Sequence, residues 1–407
     1  MGLFCQPKYL YYFSFQNHGL LYNRKKIRGG RNSMEVKIRE VAGRGDLRKF
    51  IYLPEKIHAE HENWVPPIYM DEWSYFSTKK NRAFSYCDTV LCLAYKDQKL
   101  VGRIMGIINR RYNEHRDEKT ARFGYLESWK DKEVIKALLD YVERWARSKG
   151  MERIIGPYGF TDQDPEGFLI EGFESAATFP NYYNFEWMPD FIEELGYRKD
   201  IDYVVYKIDV PDEIPDFYKR IYQRIKRKGG FEILEFRKRK ELKPWIKPVL
   251  SLMNECYSKT NIYGYTPLDE DEMESLAKKY LPLLNPKFIK GVLHKGELVA
   301  FVVGMPSPAQ GIKKAKGRLF PLGIFKILRE IKKTKQLDLL LGGIKEEYRG
   351  RGLDVMMGVN MLTSAKEAGM EIMDTHHEME SNVKVRAEME KMGGEIYKRF
   401  RIYQKNL

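Results

Sequence analysis

Three short patterns recur in this chain in the same order, and that internal repeat limits the possible folds more than any other feature. The run Tyr95-Lys96-Asp97-Gln98-Lys99-Leu100-Val101-Gly102-Arg103-Ile104-Met105-Gly106 is matched by Leu293-His294-Lys295-Gly296-Glu297-Leu298-Val299-Ala300-Phe301-Val302-Val303-Gly304. Each reads as a strand, a tight polar turn and a second apolar strand, which predicts a β-hairpin in each copy. Ala146-Arg147-Ser148-Lys149-Gly150-Met151-Glu152 is matched by Ala365-Lys366-Glu367-Ala368-Gly369-Met370-Glu371. Here a helix ends at a glycine and a strand begins. Ile192-Glu193-Glu194-Leu195-Gly196-Tyr197 is matched by Met389-Glu390-Lys391-Met392-Gly393-Gly394, each followed by a strand with alternating apolar residues. Similar spacing between the matches predicts a duplicated α/β unit. A chain of 407 residues also suits two domains of about 150–200 residues each.

The expected division is 34–210, a linker helix within 211–230, and 231–407. The linker opens at Val210-Pro211-Asp212-Glu213-Ile214-Pro215, and Gly229-Gly230 starts the second copy. Residues 1–33 have an aromatic-rich start and no helical or strand period. They lack the ordered parts of a signal peptide, and Gly2 lacks the Ser or Thr of a myristoylation motif. They are expected to be a disordered or non-native extension, with Met34 as the functional start. The chain is 43% apolar and 31% charged, as in a soluble globular protein, and no run approaches ~18 apolar residues. Four cysteines without metal spacing predict reduced thiols and a cytoplasmic protein. The net charge of +14 is spread over several clusters without interleaved aromatics. That pattern predicts solvated faces with some attraction for a polyanionic cofactor, rather than a nucleic-acid surface.

The most specific chemistry lies between strand-like Leu337–Leu341 and a helix ending at Gly369. There the chain reads Tyr348-Arg349-Gly350-Arg351-Gly352-Leu353. Two glycines flanked by arginines turn backbone amides outward, and a helix N-terminus adds partial positive charge, which suits a pyrophosphate. The stretch resembles the acyl-CoA-binding motif of the GNAT superfamily of N-acyltransferases. Arg349 and Gly352 occupy two of its marked places, while Asp354 puts a carboxylate where the family has a small residue. The order of elements in each copy is also that of the GNAT fold. The resemblance therefore implies an α/β mixed-sheet protein with two tandem GNAT-like domains. It implies acetyl-CoA or another acyl-CoA as co-substrate, with Arg349, Gly350, Arg351, Gly352 and Leu353 at the pyrophosphate. Ile344 would pair with pantetheine through its backbone, and Asn382 would stand beside that arm. Aligning the copies puts Lys130-Asp131-Lys132-Glu133 opposite Arg349–Gly352, so the first copy is expected to be a degenerate unit that does not bind CoA.

If residues 371–382 stay extended, Asp374, His376, Glu378 and Glu380 share one face. In the family this strand splays from its neighbour, and acyl group and acceptor meet in the gap. An amine must lose a proton to attack a thioester, which makes Glu378 or Glu380 the candidate base; the other reading is a solvated strand end. His376 and His377 are adjacent and would point to opposite faces, so no metal site is expected. Many family members carry a tyrosine in the last helix that protonates the leaving thiolate. Met389 stands at that position, and Tyr397 and Tyr403 lie beyond it, so the acid is unassigned. The loop holding Asp162, Asp164 and Glu166 imitates the start of a calcium loop, but Phe173 occupies the closing position. It is read as a rigid turn, or as an acceptor pocket together with residues 180–187. Between hairpin and cofactor strand, Leu319, Leu322, Ile324, Phe325, Leu328 and Ile331 form an apolar stripe with basic flanks. Such a stripe suits packing on the parent domain, a membrane surface or the cover of an acyl channel. The expected activity is transfer of acetyl from acetyl-CoA to a small-molecule or peptide amine by direct attack. The alternatives are a non-catalytic acyl-CoA-binding sensor or scaffold, and a Fem-type aminoacyl transferase using aminoacyl-tRNA.

Overall fold

The computed structural model describes residues 35–178, 181, 183–259, 262–282 and 284–407; the expectations for residues 1–33 fall outside these. The first copy begins with β1 (Lys37–Glu40), α1 (Arg44–Ile57) and α2 (Tyr69–Tyr75). The hairpin β2 (Cys87–Lys96) and β3 (Lys99–Asn109) follows, then α3 (Arg110–Arg116), β4 (Thr120–Ser128) and α4 (Lys132–Ser148). It closes with β5 (Arg153–Gly156), β6 (Phe168–Glu171), α5 (Trp187–Glu194) and β7 (Arg198–Asp209). Helix α6 (Asp216–Lys228) leads to β8 (Phe231–Glu235), α7 (Ile246–Lys259) and α8 (Glu270–Tyr280). The second hairpin, β9 (Ile289–His294) and β10 (Glu297–Pro306), precedes α9 (Ala309–Lys314) and α10 (Gly323–Ile331). The chain ends with β11 (Gln336–Ile344), α11 (Leu353–Glu367), β12 (Ile372–Asp374), β13 (Glu378–Met379), α12 (Val383–Lys391) and β14 (Glu395–Asn406).

All three repeated patterns adopt the structure their residues prescribe. Both hairpins turn through two residues at positive φ, Asp97-Gln98 and Lys295-Gly296, the geometry that matches strand twist. Gly150 and Gly369 end the equivalent helices α4 and α11 at positive φ, as do Gly196 and Gly393 after α5 and α12.

The strands form one mixed sheet in the order β1-β2-β3-β4-β5-β14-β7-β12-β11-β10-β9-β8, with β13 added to β7 and β6 to β14. The two copies exchange their last strands. β7, from the first copy, pairs with β12 of the second; β14, from the second, pairs with β5 of the first. β7 and β14 are antiparallel partners at the centre, with Phe400 opposite Tyr203 and Ile402 opposite Ile201.

The cores follow the exchange. Val134, Leu138 and Val142 of α4 pack with Ile104, Phe123 and Tyr403, the last contributed by β14. Met361, Leu362 and Ala365 of α11 pack with Leu337, Met373 and, from β7, Val204, Tyr206 and Ile208. At about 1.5–3 kcal/mol per large apolar side chain buried, loss of an exchanged strand would remove several such terms from each core. The boundaries 34–210 and 231–407 therefore mark where the pattern recurs in sequence, while residues 36–407 form one compact unit. Residues 36–210 and 231–407 produced separately should each fail to give a cooperative melt, whereas co-expression should recover a soluble complex. A cooperative transition for either half alone, followed by near-ultraviolet circular dichroism, would contradict the exchange.

Candidate functional site

β11 and β12 are parallel neighbours for three residues only, Gln336–Asp338 against Ile372–Asp374, and then part. β11 runs on to Ile344 paired with β10 alone, and its register slips at Leu340, which has no partner between the Val303–Leu341 and Gly304–Leu339 pairs. On the other arm, residues 375–377 stand opposite only Tyr206 and Val205 of β7, and His376 has φ +55°. This extra residue breaks the alternation expected for residues 374–380. Asp374, His376, Glu378 and Glu380 do not share a face.

At the open end of this fork, α11 begins without a side-chain cap; its N-cap is Gly352 at φ +84°, preceded by Gly350 at φ +72°. The first amides of a helix have no intrahelical acceptor, so this end presents donors and partial positive charge. Arg349 and Arg351 are exposed beside it, the latter 5.1 Å above the Tyr348 ring. Leu353 is fully buried against Val292 and Val299 and anchors the helix start. A Cβ at Gly350 would meet open space; one at Gly352 would lie 2.7 Å from Cδ1 of Ile225 on α6. Gly352 thus serves packing as well as the turn. Arg349 Nε donates to the carbonyl of Ile344 at 3.2 Å, which leaves that oxygen engaged within the protein. Asp354 is exposed. The equivalent end of α4 is closed by its own residue: Asp131 accepts from the amides of Glu133 and Val134 and pairs with Lys96 at 2.7 Å. The N-cap residue of α11 thus supplies no capping side chain, while the first amides of α4 are met by a carboxylate.

Inside the fork the polar groups are half-buried, and Glu166 is buried. Burial alone pushes the Glu378 carboxyl up to about 8. From the first copy's 157–167 loop, Asp162 is pushed up to about 8 by burial and then by the charge of Glu166. Burial also brings Glu166, flanked by the Tyr158 and Tyr203 hydroxyls, to about 8. Burial lowers His376 to about 4 and His377 to about 3, so both are neutral at physiological pH. His377 stacks on Tyr203 at 5.1 Å and approaches Glu166 at 3.8 Å. Tyr257 on α7 accepts the amide hydrogen of Gly342, on the arm of β11, and burial raises its pKa. Asp162 Oδ1, Gln163 Nε2, His376 Nε2 and His377 Nε2 are buried with no hydrogen-bond partner among the described residues. Orphaned buried polar atoms are costly, and a group of them marks where ligand or water atoms belong.

The other expected residues have structural duties. Asp374 and Asp338 are fully buried register partners at the fork's apex. Asp374 accepts from Thr178 Oγ1 at 3.0 Å and from the Tyr397 hydroxyl. Burial, then the charge of Asp374, holds Asp338 well above the usual carboxylate range, and burial lowers Lys398, which donates to Thr178 at 2.8 Å. Glu380 is held by Lys199 at 2.6 Å and Arg399 at 2.9 Å, so of the two candidate carboxylates Glu378 alone lies free of such pairing among the described residues. Asn382 is the N-cap of α12, and its side chain makes no capping bond. Met389 packs beside Leu337 in the core, and Tyr403 is buried with α4. Sequence reasoning missed Tyr257 altogether. It found the 157–167 carboxylates without their inward direction. No group of three or more His, Cys, Asp or Glu suited to a metal occurs among the described residues.

No family model matches the chain. It is similar to Protein YghO of Escherichia coli, 24% identical over 379 residues that cover 91% of this chain and 95% of that one. It is also similar to a bacterial ceramide synthase of Caulobacter vibrioides, 26% identical over 369 residues covering 89% and 95%. Among solved structures, a tandem GNAT protein from the clavulanic acid biosynthesis pathway superposes with a TM-score of 0.51 at 13% identity, covering 91% of this chain and 98% of that one. The fold is that of tandem GNAT proteins, as the resemblance in the sequence implied.

A carboxyl raised from 4.5 to about 8 keeps its proton in the folded state while the unfolded chain releases it. Its stabilising share is full below the unfolded value and is lost as pH rises towards 8, at about 1.4 kcal/mol per unit. Glu378→Gln should therefore flatten the fall in unfolding free energy between these limits, measured by denaturant titration across pH. An unchanged slope would show that Glu378 is solvated.

Proposed function

We propose that this chain is an N-acyltransferase that binds acyl-CoA along the β11 arm of the fork and transfers the acyl group directly to a primary amine. The uncapped start of α11, flanked by Arg349 and Arg351, carries this reading. Its amides and guanidinium groups would hold the pyrophosphate, and the unpaired edge of β11 would receive the pantetheine. That uncapped end favours CoA over aminoacyl-tRNA as the donor.

Glu378 is the proposed base. A carboxyl near pKa 8 is better matched to accept a proton from an ammonium group than one near 4.5. As the amine nitrogen bonds to the thioester carbon, its proton passes to Glu378, the C–S bond breaks and the thiolate departs. Tyr257, kept protonated by burial and bonded to the Gly342 amide, is the proposed acid for that thiolate. Asp162 and Glu166 form the acceptor side, two carboxyl groups among the Tyr158 and Tyr203 rings. The near full-length similarity to a ceramide synthase directs the acceptor towards a long-chain amino alcohol, and the donor towards a fatty acyl-CoA rather than acetyl-CoA.

Free-thiol release should be measured with acetyl-CoA and palmitoyl-CoA against a sphingoid base. Palmitoyl-CoA should turn over faster; CoA binding by calorimetry without thiol release would overturn the enzyme in favour of a sensor. Arg351→Glu should raise KM for acyl-CoA by roughly tenfold or more with kcat little changed. An unaltered KM would remove the α11 start from the site. Glu378→Gln should lower kcat by about 10²–10⁴ and abolish the rise of kcat with pH near 8. Retention of that limb would assign the base elsewhere.

A further inference from the structure

The segment between β10 and β11 is out of character with the rest of the surface. Residues 313–335 contain nine Lys or Arg and one Glu, a net +8 out of the chain's +14. The same stretch carries Phe320, Leu322, Phe325 and Leu328, exposed by 75%, 63%, 66% and 42%. These are four of the eight exposed large hydrophobic side chains among the described residues, gathered within nine positions. The apolar stripe is thus divided. Ile312, Ala315 and Ile327 form a small core with Leu319, Ile331 and, from the first copy, Val65 and Ile68. The opposite side of the stripe, at Leu322, Phe325 and Leu328, faces solvent.

The platform is firmly held. Arg318 makes two bonds of 2.8 Å to the Glu55 carboxylate of α1, and the Gly317 carbonyl accepts from Tyr69 at 3.0 Å. Lys314 is paired with Glu330 at 2.7 Å. Lys326, Arg329, Lys332 and Lys333 are exposed and in no ion pair among the described residues. Isolated exposed apolar side chains are ordinary, but a ridge rimmed by cations is not. Its two halves ask for the same partner: apolar side chains that enter the acyl boundary and cations that meet phosphate groups.

We propose that residues 318–333 dock the protein on an anionic lipid surface, with Phe320, Leu322, Phe325 and Leu328 inserted and Lys326, Arg329, Lys332 and Lys333 on the headgroups. No helix among the described residues is long and apolar enough to cross a membrane, so the attachment is peripheral. The proposal needs neither acyl-CoA nor turnover, so it stands or falls separately from the catalytic reading.

The full chain should be sedimented with vesicles of phosphatidylcholine, alone and with one third phosphatidylglycerol. Binding is expected to the anionic vesicles, weaker on the neutral ones, and released by molar salt. Lys326→Ala/Arg329→Ala should weaken partitioning by about tenfold or more. Phe325→Glu/Leu328→Glu should abolish it while leaving the thermal melt unchanged. Absence of binding to anionic vesicles, equal binding by the variants, or a dimer in sedimentation velocity that Phe325→Glu/Leu328→Glu disrupts, would each overturn the proposal.

Discussion

The antiparallel pairing of β7 with β14 is the constraint on which the molecule depends. The last strand of each copy is joined to the other's sheet, so Ile154 stands opposite Lys405 and Met373 opposite Ile208. Contacts of such sequence separation form late, after the local hairpins and helices are in place. They also make the fork between β11 and β12 a joint product. One arm, β11, belongs wholly to the second copy; the other, β12 and β13, lies against a strand of the first. The Thr178–Asp374–Tyr397 bonds fasten that arm at its root, drawing on both copies and on the exchanged strand.

The two copies differ at equivalent helix starts. The α4 and α11 starts occupy equivalent places, yet Asp131 satisfies amides of one and no side chain among the described residues caps the other. An amide that already donates to a carboxylate is not free to bind phosphate, so on the proposed reading the start of α4 is closed to CoA. The first copy supplies a loop whose carboxyl groups are forced towards neutrality by burial. A neutral carboxyl donates as well as accepts hydrogen bonds.

The sequence was most legible where structure is local. Hairpin turns, glycine helix ends, the linker helix and the Arg-Gly-Arg-Gly start of α11 each obey rules spanning a few residues. The fold class followed from their order. The exchange of β7 and β14 was invisible because each strand alternates equally well in either position. His376 hid the kink: a non-glycine residue at positive φ leaves no pattern to read. Glu378 and Glu380 look interchangeable in sequence, and only the surroundings leave one desolvated without an ion pair among the described residues and set the other between Lys199 and Arg399. Tyr257 lies far from every motif and reaches Gly342 through tertiary packing alone. The stripe at 319–331 was recognised, but its division into an inward and an outward side depends on what α1 and α2 offer it.

The strand exchange also bears on how such a gene can change. One half of a duplicated chain would ordinarily be free to decay or be deleted. Here the final strand of the first copy borders β12 of the second, while the final strand of the second borders β5 of the first. Deleting either half would strip a strand from the sheet of its sibling, so the exchange ties the two copies together in any later change.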